Sequence, residues 1–200
     1  MEVTRRGFLR AGGLALAGLA ASGEARRSWG AFMGLDTGGA RNMTAGPIEI
    51  RMRSDALGSR VWFDPVGVRI DAGTTLRWVV EEGVHSTTAY HPSNTSHPLR
   101  IPEAAEPWDS GILMRPGQAY EHAFAIPGVY DYFCLPHEAA GMVGRIVVGE
   151  PGEGPGTRPF DWYAGRPGTK DWRPVPEAAR TAFPPVARIL REGAVRVPPA

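Results

Sequence analysis

The chain of 200 residues carries 22 Lys and Arg against 21 Asp and Glu, a formal charge of +1 at neutral pH. No basic run is long enough to track a phosphate backbone, which argues against a nucleic-acid-binding protein. The length suits one good core with extensions rather than two ordinary domains. A 42% apolar fraction argues for a packed body, and 26 glycines with 19 prolines favour turns over long helices.

The N-terminal stretch "TRRGFLRAGGLALAGLAASGEA" opens with Arg5, Arg6 and Arg10 and continues through an apolar run of small residues from Ala11 to Ala21. This is the layout of a removable export signal, and the paired arginines before Phe8-Leu9 resemble the twin-arginine type. The apolar run is about half of the ~20 residues that a membrane-spanning helix needs. Residues 1–25 are therefore expected to be an export signal that places the mature chain in the periplasm or another extracytoplasmic space. The region Ser22–Ala25 is the expected cleavage zone. Cutting after Gly23 removes three of the 22 basic and one of the 21 acidic side chains, leaving 19 against 20. The mature chain is then nearly neutral, with no spanning segment expected in it.

Residues 26–46 are glycine-rich without a period and read as a linker. In "PIEIRMR", Ile48, Ile50 and Met52 alternate with charged residues at strand period. "RVWFDPVGVRIDAGTTLRWVVEEG" suggests two strands, with Val66, Val68 and Ile70 on one face and Leu76, Trp78 and Val80 on the other side of the Ala72-Gly73 turn. After a long loop, "AYEHAFAIPGVYDYFC" supplies two more about Pro127-Gly128, and "MVGRIVVG" closes the series. Short alternating strands with frequent turns and no strand–helix alternation predict an all-β sandwich or barrel over residues 47–150.

Residues 151–200 form a Pro/Gly-rich C-terminal extension. Its Phe160, Trp162, Tyr163 and Trp172 argue against a fully disordered tail, and it is expected to lie against the sandwich or a partner. "PPVARILREG" predicts a short helix, with Val186, Ile189 and Leu190 on one side and Gly193 at its end.

The one cysteine of the chain, Cys134, lies in "YDYFCLPHEAAGMVG". A single cysteine cannot close a bridge within its own chain, so outside the cytoplasm it is an inert buried thiol, an intermolecular bridge or a metal thiolate. Cys134, His137 and Met142 read C-x2-H-x4-M. With five histidines and six methionines in the chain, chance supplies both offsets in under roughly one case in a thousand. One thiolate, two imidazoles and a thioether are the donor set of a blue-copper centre. The second imidazole must come from elsewhere, and His85, His91, His97 and His122 are the candidates. His85 directly follows "TLRWVVEEGV", a strand able to end beside Cys134. His91 and His97 lie in a proline-punctuated loop, and His122 lies inside a strand pattern.

"DYFCLPHEAAGMVGRIVVG" with "VGVRIDAGTTLRWVVEEGVH" resembles the cupredoxin family, in its plastocyanin, pseudoazurin and halocyanin branch, over about residues 47 to 150. The resemblance implies a Greek-key β-sandwich holding one type 1 copper ion by His85, Cys134, His137 and Met142. Two features depart from the family. Ser86 stands where many members have an asparagine that ties the two ligand loops together, and the loop from Ser86 to Trp108 is long.

Four protein donors leave no obvious position for a substrate, unlike an open catalytic metal site. The expected function is a one-electron carrier rather than an enzyme. The alternative is a copper storage or delivery protein using the same ligands. Multicopper oxidases and nitrite reductases need further histidine clusters and a second such domain, and a binuclear copper site needs two cysteines. By resemblance His137 presents its ring edge to transient redox partners. The small residues Ala139, Ala140 and Gly141 around it would form the contact patch of a monomeric protein.

Overall fold

Strand-forming segments dominate the computed structural model, which describes residues 47–197. The predicted export segment 1–25 and the linker 26–46 lie outside the described residues. Among the described residues nine strands divide between two sheets. The first, in the order β2-β1-β4-β6, contains β1 (Ile48–Ser54), β2 (Val61–Asp64), β4 (Thr74–Val80) and β6 (Ala119–Phe124). The second, in the order β5-β7-β8-β3-β9, contains β3 (Gly67–Ile70), β5 (Thr88–Ala89), β7 (Gly128–Phe133), β8 (Val143–Val148) and β9 (Ala194–Val195). Both are mixed: β1 runs parallel to β4 and β3 parallel to β8, with the other pairings antiparallel. This is the all-β sandwich that the resemblance implies.

The first sheet follows its sequence pattern. Ile50 and Met52 of β1 and Leu76, Trp78 and Val80 of β4 are buried between the sheets. The alternate positions carry charge to the surface, where Arg77 pairs with Glu49 at 3.4 Å and with Glu121 at 3.3 Å. Such exposed pairs contribute at most about 1 kcal/mol each, so the apolar face decides the register. The central core adds Phe63, Phe124, Tyr130, Tyr132, Ile146 and Trp108.

Two features differ from the sequence expectation. The stretch read as two strands holds three, because the chain leaves β2 at Asp64 and re-enters the other sheet as β3 at Gly67. Likewise β6 and β7 flank Pro127-Gly128 yet join different sheets, so the Pro-Gly corner is a crossing rather than a hairpin.

Every residue of β7 and β8 is buried. Their inner face meets the sandwich core, and the C-terminal extension covers the outer one. Helix α1 (Glu177–Ala182) and its flanks bring Val175, Ala179 and Phe183 onto Tyr90, Phe133 and Val143. Helix α2 (Val186–Glu192) sets Ile189 among Val66, Val129, Val147 and Val195. Pro185 stands at the start of α2 and Gly193, at φ 72°, at its end. The chain then returns as β9 alongside β3.

A buried ion cluster fastens this third layer. Asp131 of β7, fully buried, accepts from Arg100 Nε at 2.7 Å and from Arg145 Nε at 2.7 Å. Arg100 also donates to the carbonyls of Arg158 and Gly156 at 2.9 Å each, and Arg145 to that of Pro184 at 3.0 Å. Each guanidinium lies over an aromatic ring of the extension, Arg100 at 3.9 Å from Phe160 and Arg145 at 4.9 Å from Phe183. Among the described residues no helix is long and apolar enough to cross a membrane.

Candidate metal centre

Both donor segments are set by the strands that precede them. β4 carries Leu76, Trp78 and Val80 into the core, and the chain then turns through Glu82–Val84 to His85. His85 is fixed on both sides by main-chain bonds to Leu113, with its N–H donating at 3.0 Å and its carbonyl accepting at 2.8 Å. Gly83, at φ +83°, permits the turn: a Cβ there would lie 2.5 Å from Ser54 Oγ and 3.0 Å from His85 Nε2. The second segment begins where β7 ends. Pro136 opens a 3-10 turn, Leu135–Ala140, that holds His137, and Gly141 ends it in the left-handed conformation. Met142 N–H donates to the His137 carbonyl at 3.1 Å, and Cys134 N–H to that of Met142 at 3.0 Å. The loop from Cys134 to Met142 is thus closed on itself.

Three side chains converge here. Sγ of Cys134 lies 3.6 Å from Nδ1 of His85 and 3.4 Å from Nδ1 of His137, and these donor atoms all stand within 4.8 Å of one another. His85 and Cys134 are fully buried, while His137 is half-buried. His85 Nε2 donates to the Glu82 carbonyl at 2.8 Å, with Ser54 Oγ at 3.2 Å. A carbonyl can only accept, so the ring proton is on Nε2 and Nδ1 turns its lone pair toward the sulfur. One sulfur and two imidazole nitrogens facing a common point are a donor set that suits a soft, borderline cation. The Met142 side chain is buried in the same loop.

Burial, the dominant influence, lowers His85 to about 4, with the nearby His137 lowering it further against the Glu82 hydrogen bond. Burial also lowers His137 and raises the Cys134 thiol to about 11, against the Ser86 amide that pulls it down. Both imidazoles are therefore neutral, the ligand form, at neutral pH.

Ser86 ties the two segments together in spite of its departure from the family pattern. Its amide donates to Sγ of Cys134 at 3.3 Å, and its hydroxyl oxygen accepts from Leu135 N–H at 2.7 Å. Thr88 donates to Asp109 at 3.0 Å, which leaves its oxygen free to accept from the Ser86 hydroxyl at 3.2 Å. Trp108 steadies the same stretch by donating to Thr87 Oγ1 at 3.0 Å. Ser54, Glu82, Thr88 and Asp109 carry no motif, and only the packed structure identifies them.

The remaining histidines lie elsewhere. His91 accepts from Ser93 N–H at 3.1 Å, His122 stacks on Trp108 at 5.0 Å between ring centres, and His97 is buried against Glu138 at 3.0 Å.

A thiol and two imidazoles gathered at one end of a β-sandwich define a metal-binding sandwich protein with a single-ion site. Residues 50–149 match the family described as copper binding proteins, plastocyanin/azurin family, and the chain belongs to that family; copper is its metal. The chain is 36% identical over 86 residues to a plastocyanin of Scenedesmus fuscus, covering 43% of this chain and 85% of that one. It is 31% identical over 106 residues to a chloroplastic plastocyanin of Tetradesmus obliquus, covering 53% and 70%. Among solved structures it is similar to a pseudoazurin from Sinorhizobium meliltoi at 24% identity, with a TM-score of 0.49, over 74% of this chain and 98% of that one.

Proposed function

We propose that His85, Cys134, His137 and Met142 together hold one copper ion in a type 1 centre, and that the protein carries single electrons between redox partners. One observation carries this reading: two Nδ1 atoms, at 3.6 and 3.4 Å, flank one buried sulfur. Copper bound there supplies a one-electron couple and an intense visible thiolate-to-metal absorption. The protein's part is to hold the donors still. The Glu82 carbonyl orients His85, Ser86 links the two donor loops, and the closed 134–142 loop restrains the rest. A donor set that needs no rearrangement lowers the cost of each transfer. With four protein donors no position is left for a substrate, which favours a carrier over an enzyme.

Partners dock, in this reading, over the half-exposed His137, with the exposed Ala139 and Ala140 beside it. A hollow of about 670 Å³ adjoins His137 and is lined by Leu57, Val61, Glu82 and Val84 among others. The exposed side chains of Leu57, Val84 and Leu135 make this end of the molecule apolar. Such a surface suits brief redox encounters, which typically bury less than about 1,200 Å² in total. The arginine pair and small-residue run of residues 1–25 support twin-arginine export, so the carrier works outside the cytoplasm. The expected domain limits are 1–25 for the signal, 26–46 for the linker, 47–150 for the cupredoxin domain and 151–200 for the extension.

The test is a visible spectrum of the copper-loaded, oxidised protein. An intense charge-transfer band that Cys134→Ser abolishes is expected; a wild-type protein without the band refutes the centre. Ala139→Lys should keep the band and slow electron transfer with a protein partner. An unchanged rate would remove the docking patch.

A further inference from the structure

The long segment between Ser86 and Trp108 has almost no regular structure, yet it sends two buried polar groups to one point. Tyr90 and His97 pack against Phe133, the residue before Cys134, with ring centres 4.6 and 4.3 Å away. Their polar ends meet on Glu138, the residue after His137. Tyr90 donates its hydroxyl to Glu138 Oε1 at 2.7 Å, and His97 Nε2 stands 3.0 Å from Oε2. Glu138 is 8% exposed, His97 1% and Tyr90 0%. The carboxylate sits in the middle of a turn otherwise made of small or solvent-facing residues. A buried carboxylate is costly unless fully partnered, and here each oxygen has its partner.

Hydrogen-bond accounting makes the arrangement a directed one. His97 Nδ1 lies 2.8 Å from both the Asn94 carbonyl and the Thr95 hydroxyl, which fix the ring so that Nε2 faces Glu138 Oε2. Burial first, and then the Glu138 carboxylate, raise Tyr90 far above the ordinary phenol range, so its hydroxyl stays a donor. Tyr90 is itself pinned, its N–H donating to the Asp131 carbonyl at 3.0 Å and its carbonyl accepting from Arg100 N–H at 2.9 Å.

We propose that Glu138, gripped from behind by Tyr90 and His97, is a positioning residue that fixes the ring of His137 relative to Cys134. The long loop is thus a brace on the donor turn. Its place at the copper centre rests on the carrier reading above, whereas its action on His137 does not. The turn's bonds to Cys134 and Gly141 are short-range main-chain bonds that a shift of the whole turn would preserve; Ser86 holds the turn at its start through Leu135 N–H, and Glu138 holds it beside His137.

Tyr90→Phe, Glu138→Ala and Glu138→Gln separate this role from plain stability. In copper-free protein, the imidazole ¹⁵N signals of His137 should report one ring orientation. They should broaden or average in Glu138→Ala, shift part of the way in Tyr90→Phe, and return toward wild type in Glu138→Gln, whose amide can still bridge both partners. In copper-loaded protein, Glu138→Ala should alter the charge-transfer band and slow electron self-exchange by about tenfold or more, the usual scale for residues that orient metal ligands. If Glu138→Ala and Tyr90→Phe lower only the melting temperature, leaving the His137 signals and the band in place, the brace is refuted. If wild-type protein shows no copper band, the carrier reading fails, and the copper-free His137 signals still decide this one.

Discussion

At the scale of single residues, burial prepares the candidate donors for metal. With Cys134 raised to about 11 and His85 lowered to about 4, the copper-free site at pH 7 holds the thiol proton and a neutral His85, protonated at Nε2 and unprotonated at Nδ1. A metal ligand must be deprotonated, so copper binding at pH 7 should displace one proton, from Cys134 and not from the imidazoles. The apparent copper affinity should rise about tenfold per pH unit between pH 7 and 10, then level off above the thiol's own range. Proton release followed in weakly buffered solution during copper titration measures this directly. Release of no proton, or of two, would contradict the assignment. The donors were unequally legible at this scale. Cys134, His137 and Met142 lie within one short motif, where local spacing is informative. His85 is 49 residues from Cys134 and was one histidine among four candidates. The Ser86 bridge is not legible in the sequence, because it depends on which amide meets the hydroxyl.

At the scale of elements, the donor turn depends on the residue that ends it. Gly141 has φ +82°, and a Cβ there would stand 3.0 Å from the Ala178 carbonyl of α1 and 3.6 Å from Ala182. A side chain would meet both the left-handed strain, about 1–2 kcal/mol, and the backbone of a packed helix. Gly141→Ala should therefore destabilise the protein by roughly 1–3 kcal/mol and speed copper loss to a chelator, because the turn bearing His137 and the contact with α1 share this residue. Thermal melting and chelator kinetics check both effects. Unchanged copper retention would mean that α1 does not restrain the turn. Strand existence was readable in β1, β4 and β8 from alternation and β-branched or aromatic content. Strand partners were not. The break at Asp64 and the crossing at Gly128 look like an irregularity and a hairpin in sequence, since local patterns do not say which sheet the next strand joins.

At the scale of the whole molecule, the extension is a third layer fastened by charge as well as by apolar contact. Asp131 sits between two guanidiniums that also hold carbonyls of residues 156, 158 and 184. Removing one partner of a buried ion cluster typically costs about 3–5 kcal/mol, because the remaining charge is left uncompensated. Asp131→Asn should lower stability by that order in denaturant unfolding and should open residues 151–175 to limited proteolysis. An extension that stays protease-resistant in this variant would show that its aromatic contacts suffice without the cluster. The extension leaves Leu135, His137, Ala139 and Ala140 accessible while sealing Phe133 beneath Tyr90 and Phe183.

By itself the sequence determined what short-range chemistry can determine. The soft-donor motif, the strand periodicity and the helix bounded by Pro185 and Gly193 are all encoded within a few residues of one another. Only the tertiary structure decided which histidine joins Cys134, that Ser86 bridges the donor loops, that Tyr90 and His97 grip Glu138, and that β7 and β8 are covered on both faces. Each of these depends on two or three groups far apart in the chain reaching hydrogen-bonding or packing distance. That is a property of how the sheets and the extension pack, which no local pattern of residues carries.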